Sequence, residues 1–230
     1  MKHRILPDSR LASAIPYIRR GGCVADIGTD HAYLPIHLVQ EGIVSRALAC
    51  DINEGPIRAA RENIAAQGLE AKIDTLCTDG LHGVEPYAPD DILIFGMGGE
   101  LIVKILGEAP WIKDARFGLI LQPMSRPQVL RAWLLKNGFS ILGERISFED
   151  RYYQTVHARF VGKTDAYTEE ELLLGKRNLE GNSPYLIPLI KHEIAVLESV
   201  LDGKSKARTA DTEKEVRILH ALKNRLERLQ

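Results

Sequence analysis

Three aspartates stand at the ends of short apolar runs in the first third of this chain, and their types and spacing are the first sign of chemistry. Asp26 opens Asp26-Ile27-Gly28-Thr29-Asp30-His31-Ala32-Tyr33, Asp51 closes a second run, and Asp79 with Gly80 follows a third. A turn that cradles a pyrophosphate after a strand reads GxGxxG, so that backbone can approach the phosphates. Only Gly28 of that pattern is present, and Asp30 stands where a second glycine belongs. A carboxylate there repels pyrophosphate and favours a ligand carrying an amino group or a sulfonium cation. Asp51 is placed to accept both hydroxyls of a ribose. Asp79-Gly80 is placed to meet an adenine amino edge. A nucleoside without phosphate but with a positive centre satisfies all three constraints, which points to S-adenosylmethionine. Taken singly, Asp26 is also explained as a cap or turn acceptor, and Asp51 as the start of a turn before Asn53. It is the shared edge that argues for a cofactor.

A glycine-rich turn follows the fourth run: Phe95-Gly96-Met97-Gly98-Gly99-Glu100. Three glycines in four residues permit positive φ or close backbone approach. Methyltransferases that act on an exocyclic base amine often carry Asn/Asp-Pro-Pro-aromatic at this place. The departure from that motif fits a ring nitrogen as acceptor. The residues expected to hold the cofactor are Asp26, Gly28, Asp30, His31, Asp51, Ile52, Asp79, Gly80, Gly96 and Met97. Asp30, His31 and Tyr33 are the candidates at the reactive end. For His31 the alternatives are a hydrogen bond to the cofactor's carboxylate or a purely structural place in the turn. Tyr33 either stacks on a base or packs in the core. Arg10, in Asp8-Ser9-Arg10-Leu11, is expected to meet a carboxylate or a phosphate. Gly98 and Gln122 are expected to face the substrate. No metal site is expected, since the chain has no CxxC pair.

These residues need an α/β frame. Cys23–Ile27, Ala47–Asp51, Ile73–Cys77, Asp91–Gly96 and Gly118–Leu121 are short runs apolar on both faces, as buried parallel strands are. Helical stretches alternate with them, such as Gly55–Gln67, stopped by Gly68. That alternation predicts an open α/β sheet. Cys23, Cys50 and Cys77 recur every 27 residues. The interval is read as the βα period, with reduced core thiols. Phe139–Phe148 and Tyr152–Phe160 are joined by three residues and predict an antiparallel hairpin. The result is a seven-stranded sheet, parallel except near one end.

Beyond Lys163 the pattern is helical, and the domain boundary is placed near residues 160–165, giving a sheet domain over 1–162 and a helical one over 163–230. Ile187, Ile190, Ile194, Leu197 and Leu201, then Leu219, Leu222, Leu226 and Leu229, follow spacings of three and four. They predict two antiparallel helices joined as a coiled-coil hairpin. The stretch 202–208 is read as its turn, and Lys204, Lys206 and Arg208 as contacts to nucleic-acid phosphates, or else as a solvated loop.

Asp-Ile-Gly-Thr-Asp-His-Ala-Tyr-Leu-Pro (26–35), Phe-Gly-Met-Gly-Gly (95–99), Leu-Gln-Pro (121–123) and the helical C-terminal part together resemble the bacterial tRNA (adenine-22-N1)-methyltransferase family, over nearly the whole chain. The resemblance implies a Rossmann-like class I methyltransferase fold, S-adenosylmethionine as methyl donor, and a tRNA substrate methylated at N1 of an adenine. The competing readings are a methyltransferase for a small molecule or protein, and a non-catalytic binding module on the same scaffold.

Composition sets the outer limits. The chain has 230 residues, 30 basic and 31 acidic, so it is no strongly basic nucleic-acid coat. Neither part is basic: residues 1–160 hold 18 basic and 19 acidic side chains, and 161–230 hold 12 of each. A nucleic-acid enzyme needs only a local basic face, so near-neutrality predicts a carboxylate-lined pocket with basic residues at its mouth and at the hairpin tip. With no run of roughly 18 apolar residues and no apolar signal core, the expectation is a cytoplasmic protein, without membrane contact and most simply a monomer.

Overall fold

The computed structural model describes residues 8–163, 167–206 and 212–229. Seven strands form one sheet: β1 (Cys23–Ile27), β2 (Arg46–Asp51), β3 (Ile73–Cys77), β4 (Asp91–Met97), β5 (Gly118–Pro123), β6 (Phe139–Phe148) and β7 (Tyr152–Phe160). Their order is β3-β2-β1-β4-β5-β7-β6. All pairings from β3 to β5 are parallel, and β7 runs antiparallel to both β5 and β6. Both predicted hairpin strands have the bounds read from the sequence.

Helices α1 (Ser9–Ala12), α2 (Tyr33–Gln40), α3 (Glu54–Gln67), α4 (Gly99–Gly107) and α5 (Pro127–Lys136) flank the sheet. Strand side chains alternate between two cores. Ala25, Ile27, Leu48, Ile92, Ile94, Leu119 and Leu121 pack with α4 and α5 on one face. Val24, Ala47, Ala49, Leu93, Phe95 and Ile120 pack with α2 and α3 on the other. That is why the central strands β1, β4 and β5 are buried on both faces and mainly apolar, whereas β3 at the sheet edge carries Asp74 and Thr75 and is buried only at Ile73. Helix α3 ends at Gly68, which adopts φ +64° and turns the chain into β3.

After the sheet come α6 (Glu169–Leu174), α7 (Lys176–Glu180), α8 (Leu186–Lys206) and α9 (Glu213–Leu229). Thr168 caps α6, accepting from the Glu171 amide while Glu171 reaches back to the Thr168 amide. Leu174, Leu186, Leu189, Ile190 and Leu222 bury themselves with Ile146 of β6. The ion pairs Lys204–Glu215 and Glu198–Lys223 run in opposite senses along α8 and α9, as antiparallel helices require. These helices are tied back to the sheet by a buried charge network. Arg131 of α5 pairs with Glu144 of β6 at 2.6 Å, both fully buried. Arg131 also donates to the carbonyls of Leu172 and Leu173 and to Gln154.

The structure corrects two details. Residues 202–206 are the last turn of α8, not a loop; their Lys, Asp and Ser residues are all compatible with helix, and the lone Gly203 is tolerated. The cysteines are not at equivalent strand positions. Cys23 begins β1 and pairs with Arg46, whereas Cys50 pairs with Ile27 near the other end of the strands. All three are free thiols; Cys23 and Cys50 are buried as expected, whereas Cys77, on the edge strand β3, is only partly buried.

Candidate active site

The chain runs outward from β1 to β2 and β3, then returns to lay β4 on the other side of β1. Ligands of open α/β sheets bind at such a reversal, beyond the carboxyl ends of the strands. A cleft of about 540 Å³ lies at that place, lined by Asp26, Gly28, Asp30, Asp51, Gly96 and Met97 together with Asp8, Arg10, Leu11, Tyr33, Leu34 and Phe95.

The turn after β1 is held from several sides. Gly28 has φ +77°, the region that only glycine adopts freely. Its amide and that of Thr29 both donate to the Cys50 carbonyl, at 2.9 and 2.7 Å, fixing the turn to the end of β2. His31 and Ala32 follow with φ +55° and +58°, two successive left-handed non-glycine residues. Such strain persists only where the surroundings impose it; Asn63 of α3 supplies one restraint by donating to the His31 carbonyl at 3.0 Å. The His31 ring stacks on Tyr33 with centroids 5.5 Å apart, and its Nε2 lies 3.2 Å from the Asp30 carboxylate. Tyr33 is 40% exposed, so it belongs to the cleft lip and not to the core.

Asp26 is the most unusual group of the site. Its side chain is buried and accepts from Thr29 Oγ1 at 2.7 Å. Burial pushes its carboxyl up to about 6; the Thr29 hydrogen bond and the Arg10 charge oppose this, and Asp30 and Asp51 add to it. Asp30 and Asp51 thus converge with Asp26 on one cleft that Asp8 also lines, and Arg10 is the cation that lowers Asp26. Arg10 itself pairs with Asp8 at 3.7 Å and lies over the Tyr153 ring at 5.8 Å. Asp51 accepts from the Asn53 amide at 2.8 Å through one oxygen, so it starts the turn as well as lining the cleft.

On the opposite wall, β4 shifts register between Phe95 and Met97, with Gly96 at φ +77°. This bulge turns Met97 into the cleft. Gly99 is required for another reason: a Cβ on it would lie 2.5 Å from the Arg126 carbonyl, and its amide donates to the Ser125 carbonyl at 2.8 Å.

Not every expected residue joins this cleft. Asp79 is exposed, Gly80 (φ +56°) packs near Ile105, and neither lines the cavity. Ile52 is 59% exposed beside Asp51, and Gly98 is the residue before α4. Gln122 does not face a substrate. It is fully buried, donating to the Arg10 carbonyl, Ser13 Oγ and Thr155 Oγ1, so it anchors the N-terminal segment that carries Arg10. The alternation of β5 sends it to the interior. Lys204 pairs with Glu215 and Lys206 with Asp202, each within α8 or across to α9. Both are surface pairs, Lys206–Asp202 the more exposed of the two, so each lysine has a carboxylate beside it without being withdrawn from solvent; Arg208 lies outside the described residues. Sequence reasoning missed Thr29 and Asp8. The Asp26-x-x-Thr29 spacing, which lets a hydroxyl reach back to the carboxylate, was the available signal for Thr29.

Among the described residues, no cluster of three His, Cys, Asp or Glu side chains could hold a metal ion, and no helix is long and apolar enough to cross a membrane.

A family model described as a methyltransferase domain matches residues 7–156. The tRNA (adenine(22)-N(1))-methyltransferase of Bacillus subtilis (strain 168) is 32% identical over 226 residues, 96% of this chain and 94% of its own length. The crystal structure of the B. subtilis m1A22 tRNA methyltransferase TrmK superposes with a TM-score of 0.80 at 30% identity, covering 97% of each chain. A Streptococcus pneumoniae protein solved in complex with S-adenosyl-L-methionine superposes with a TM-score of 0.85 at 32% identity, covering 96% of this chain and all of that one. With its methyltransferase sheet and helical C-terminal part matched over nearly their whole length, the chain belongs to the tRNA (adenine(22)-N(1))-methyltransferases.

Proposed function

We infer that this protein transfers a methyl group from S-adenosylmethionine to N1 of adenine 22 in tRNA. The observation that carries the reading is the convergence of Asp26, Asp30 and Asp51 on one cleft at the β1–β4 reversal. A carboxylate whose ionised form burial disfavours, with two further carboxylates beside it, is suited to a cationic ligand, and the cleft has room for a nucleoside bearing one. Bound there, S-adenosylmethionine supplies an electrophilic methyl on a sulfonium centre.

The remaining roles belong to the chain. Asp51 accepts the ribose hydroxyls, with Ile52 covering the sugar's outer side. Gly28 and Gly96 let backbone approach the ligand, and Met97 forms the opposite wall. Asp79 and Gly80, beyond the cleft at the end of β3, form the outer border on the adenine side. Arg10 meets the amino-acid carboxylate of the donor, balancing Asp26.

Adenine N1 has an in-plane lone pair, so no base need remove a proton before attack, and positioning supplies much of the rate. Because N1 is the Watson–Crick acceptor, the base must leave its pair. Tyr33, exposed at the lip and stacked on His31, is the surface on which it would rest. Asp30 faces the charge that develops on the methylated ring. Gly98 keeps the loop beside the acceptor free of a side chain. A tRNA substrate fits an enzyme that works in the cytoplasm, most simply as a monomer.

The test is to incubate the protein with labelled S-adenosylmethionine and bulk tRNA, then digest and separate the nucleosides. Label in 1-methyladenosine is expected. Label confined to protein or to small molecules overturns the reading.

A further inference from the structure

A second cavity, of about 370 Å³, lies beside the first on the same carboxyl edge of the sheet. Its floor is the loop after β5 and its far wall is α8, with Arg126, Gln128, Arg151, Tyr152, His192 and Glu193 in its lining. The two cavities share a partition. The Met124 amide donates to the Met97 carbonyl at 2.8 Å, and Met97 faces the donor cleft while Met124 faces this one.

Four features suit one kind of occupant. The rings of Tyr152 and His192 lie 5.8 Å apart, tilted at 53°, and form an aromatic surface across the β7–α8 junction. Any nucleobase offers a π-face to such a surface. Arg126 and Arg151 stand at the rim, and among the described residues they pair with Glu100 and Asp150 in pairs that are more than half exposed. Exposed pairs of this kind contribute little and exchange readily for a phosphate. Gln128 holds a buried amide oxygen with no hydrogen-bond partner among the described residues. Such an acceptor calls for a donor, which a ribose hydroxyl or an exocyclic amine provides. Finally, Arg126 is held at φ +53° immediately before α5, a strained conformation for a long side chain. The one carboxylate in the lining, Glu193, is pushed up by burial, which lessens its repulsion of a phosphate.

We propose that this second cavity seats a ribonucleotide of the RNA substrate other than the one methylated, its base on Tyr152 and His192, its sugar or amine on Gln128, and its phosphates on Arg126 and Arg151. The proposal rests on the tRNA reading above. It gives the C-terminal helices a direct part in recognition, because α8 supplies His192 to a cavity whose floor is the methyltransferase sheet. It also places the contact at the junction of the two parts and not at the far tip of α8.

The test uses the full chain, a tRNA transcript and S-adenosylmethionine. Arg126→Ala with Arg151→Ala is expected to raise the KM for tRNA by about tenfold or more and to reduce the salt slope of tRNA binding by about 1.4 to 1.8. Donor affinity by calorimetry should stay within twofold of wild type. His192→Ala is expected to raise the tRNA KM about tenfold, whereas Tyr152→Phe, which keeps the ring, should leave it unchanged. Unaltered KM and salt slope in the double variant, with an active wild type, would overturn the subsite alone. A wild type that binds the donor but methylates no tRNA would overturn the subsite together with the function on which it rests.

Discussion

Asp26 offers the sharpest quantitative test of the site. Its carboxyl titrates near 6 in the folded chain against an ordinary 3.8, a difference of about 2.2 units. At about 1.4 kcal/mol per unit, ionised Asp26 disfavours the folded, ligand-free protein by about 3 kcal/mol at neutral pH. The sign follows from which state holds the proton. The folded state binds it more tightly, so stability from this group is complete below pH 3.8 and falls as pH rises to about 6, after which it is level. Asp26→Asn removes the titration while keeping an oxygen for the Thr29 hydroxyl. Above pH 7 the ligand-free variant should therefore be more stable than wild type by up to about 3 kcal/mol, less about 1 kcal/mol for the weaker hydrogen bond to a neutral acceptor. Near pH 4 the advantage should vanish. Urea midpoints measured from pH 4 to 8 read this directly. In the same variant, donor affinity should drop, because the cation loses its counter-charge. Wild type should release up to about half a proton on binding the donor at pH 6, measured by calorimetry in buffers of different ionisation enthalpy. Parallel pH–stability profiles for the two proteins would refute the argument that Asp26 is strained by burial and relieved by a cation.

Other consequences are simpler to check. Asp51→Ala should abolish donor binding by calorimetry without lowering the melting temperature much, since Asp51 is only partly buried and makes one turn hydrogen bond. Glu144→Gln leaves the fully buried Arg131 without its counter-ion and should destabilise by about 3 to 5 kcal/mol in denaturant unfolding. Gly99→Ala forces the loop after β4 away from the Arg126 carbonyl, so it should cut turnover more than it lowers stability in urea. Lys206→Glu places a carboxylate four residues from Asp202 on an exposed helix face, and its effect on tRNA binding should stay below twofold.

How far the sequence carried depended on whether a feature was local. The central strands were legible because burial on both faces dictates most of their composition. The end of α3 was legible because Gly68 alone can take its backbone angle. Asp26, Gly28, Asp30, Asp51, Gly96 and Met97 came together because each sits at a strand's carboxyl end, and sheet topology places those ends side by side. Gln122 misled for a complementary reason. It ends a strand at the right edge, yet strand alternation sends its side chain inward to hold Ser13 and Thr155, and no local signal distinguishes the two faces of a fully buried strand. The Lys204–Lys206 segment misled because a glycine among polar residues reads as a turn, whereas packing of α8 on α9 carried the helix through it. The Arg131–Glu144 network was invisible, because its members are separated by thirteen residues and share no motif.

The balance of 30 basic and 31 acidic residues takes its meaning from this arrangement. A neutral protein that binds RNA must either concentrate its cations or lend them. Arg131 is committed to Glu144 in the interior, and Lys204 is held by Glu215 in a partly buried pair between α8 and α9. The cations beside the substrate edge, Arg126 and Arg151, are held by carboxylates so exposed that solvent screens the pairing. Their partners are also the groups nearest to an arriving phosphate, and at low ionic strength they repel it. Exchange therefore costs little but is not free, and it makes affinity for RNA depend on releasing Glu100 and Asp150 as well as on gaining a phosphate. Glu100→Gln should for that reason strengthen tRNA binding at low salt, by up to a few fold, while the same substitution made in an Arg126→Ala background should have a smaller effect, that of the lost repulsion alone. Measuring tRNA affinity of the single and double variants across a salt series separates the two contributions: equal effects of Glu100→Gln with and without Arg126 would mean that repulsion by Glu100 accounts for the whole gain and that release of the arginine contributes nothing.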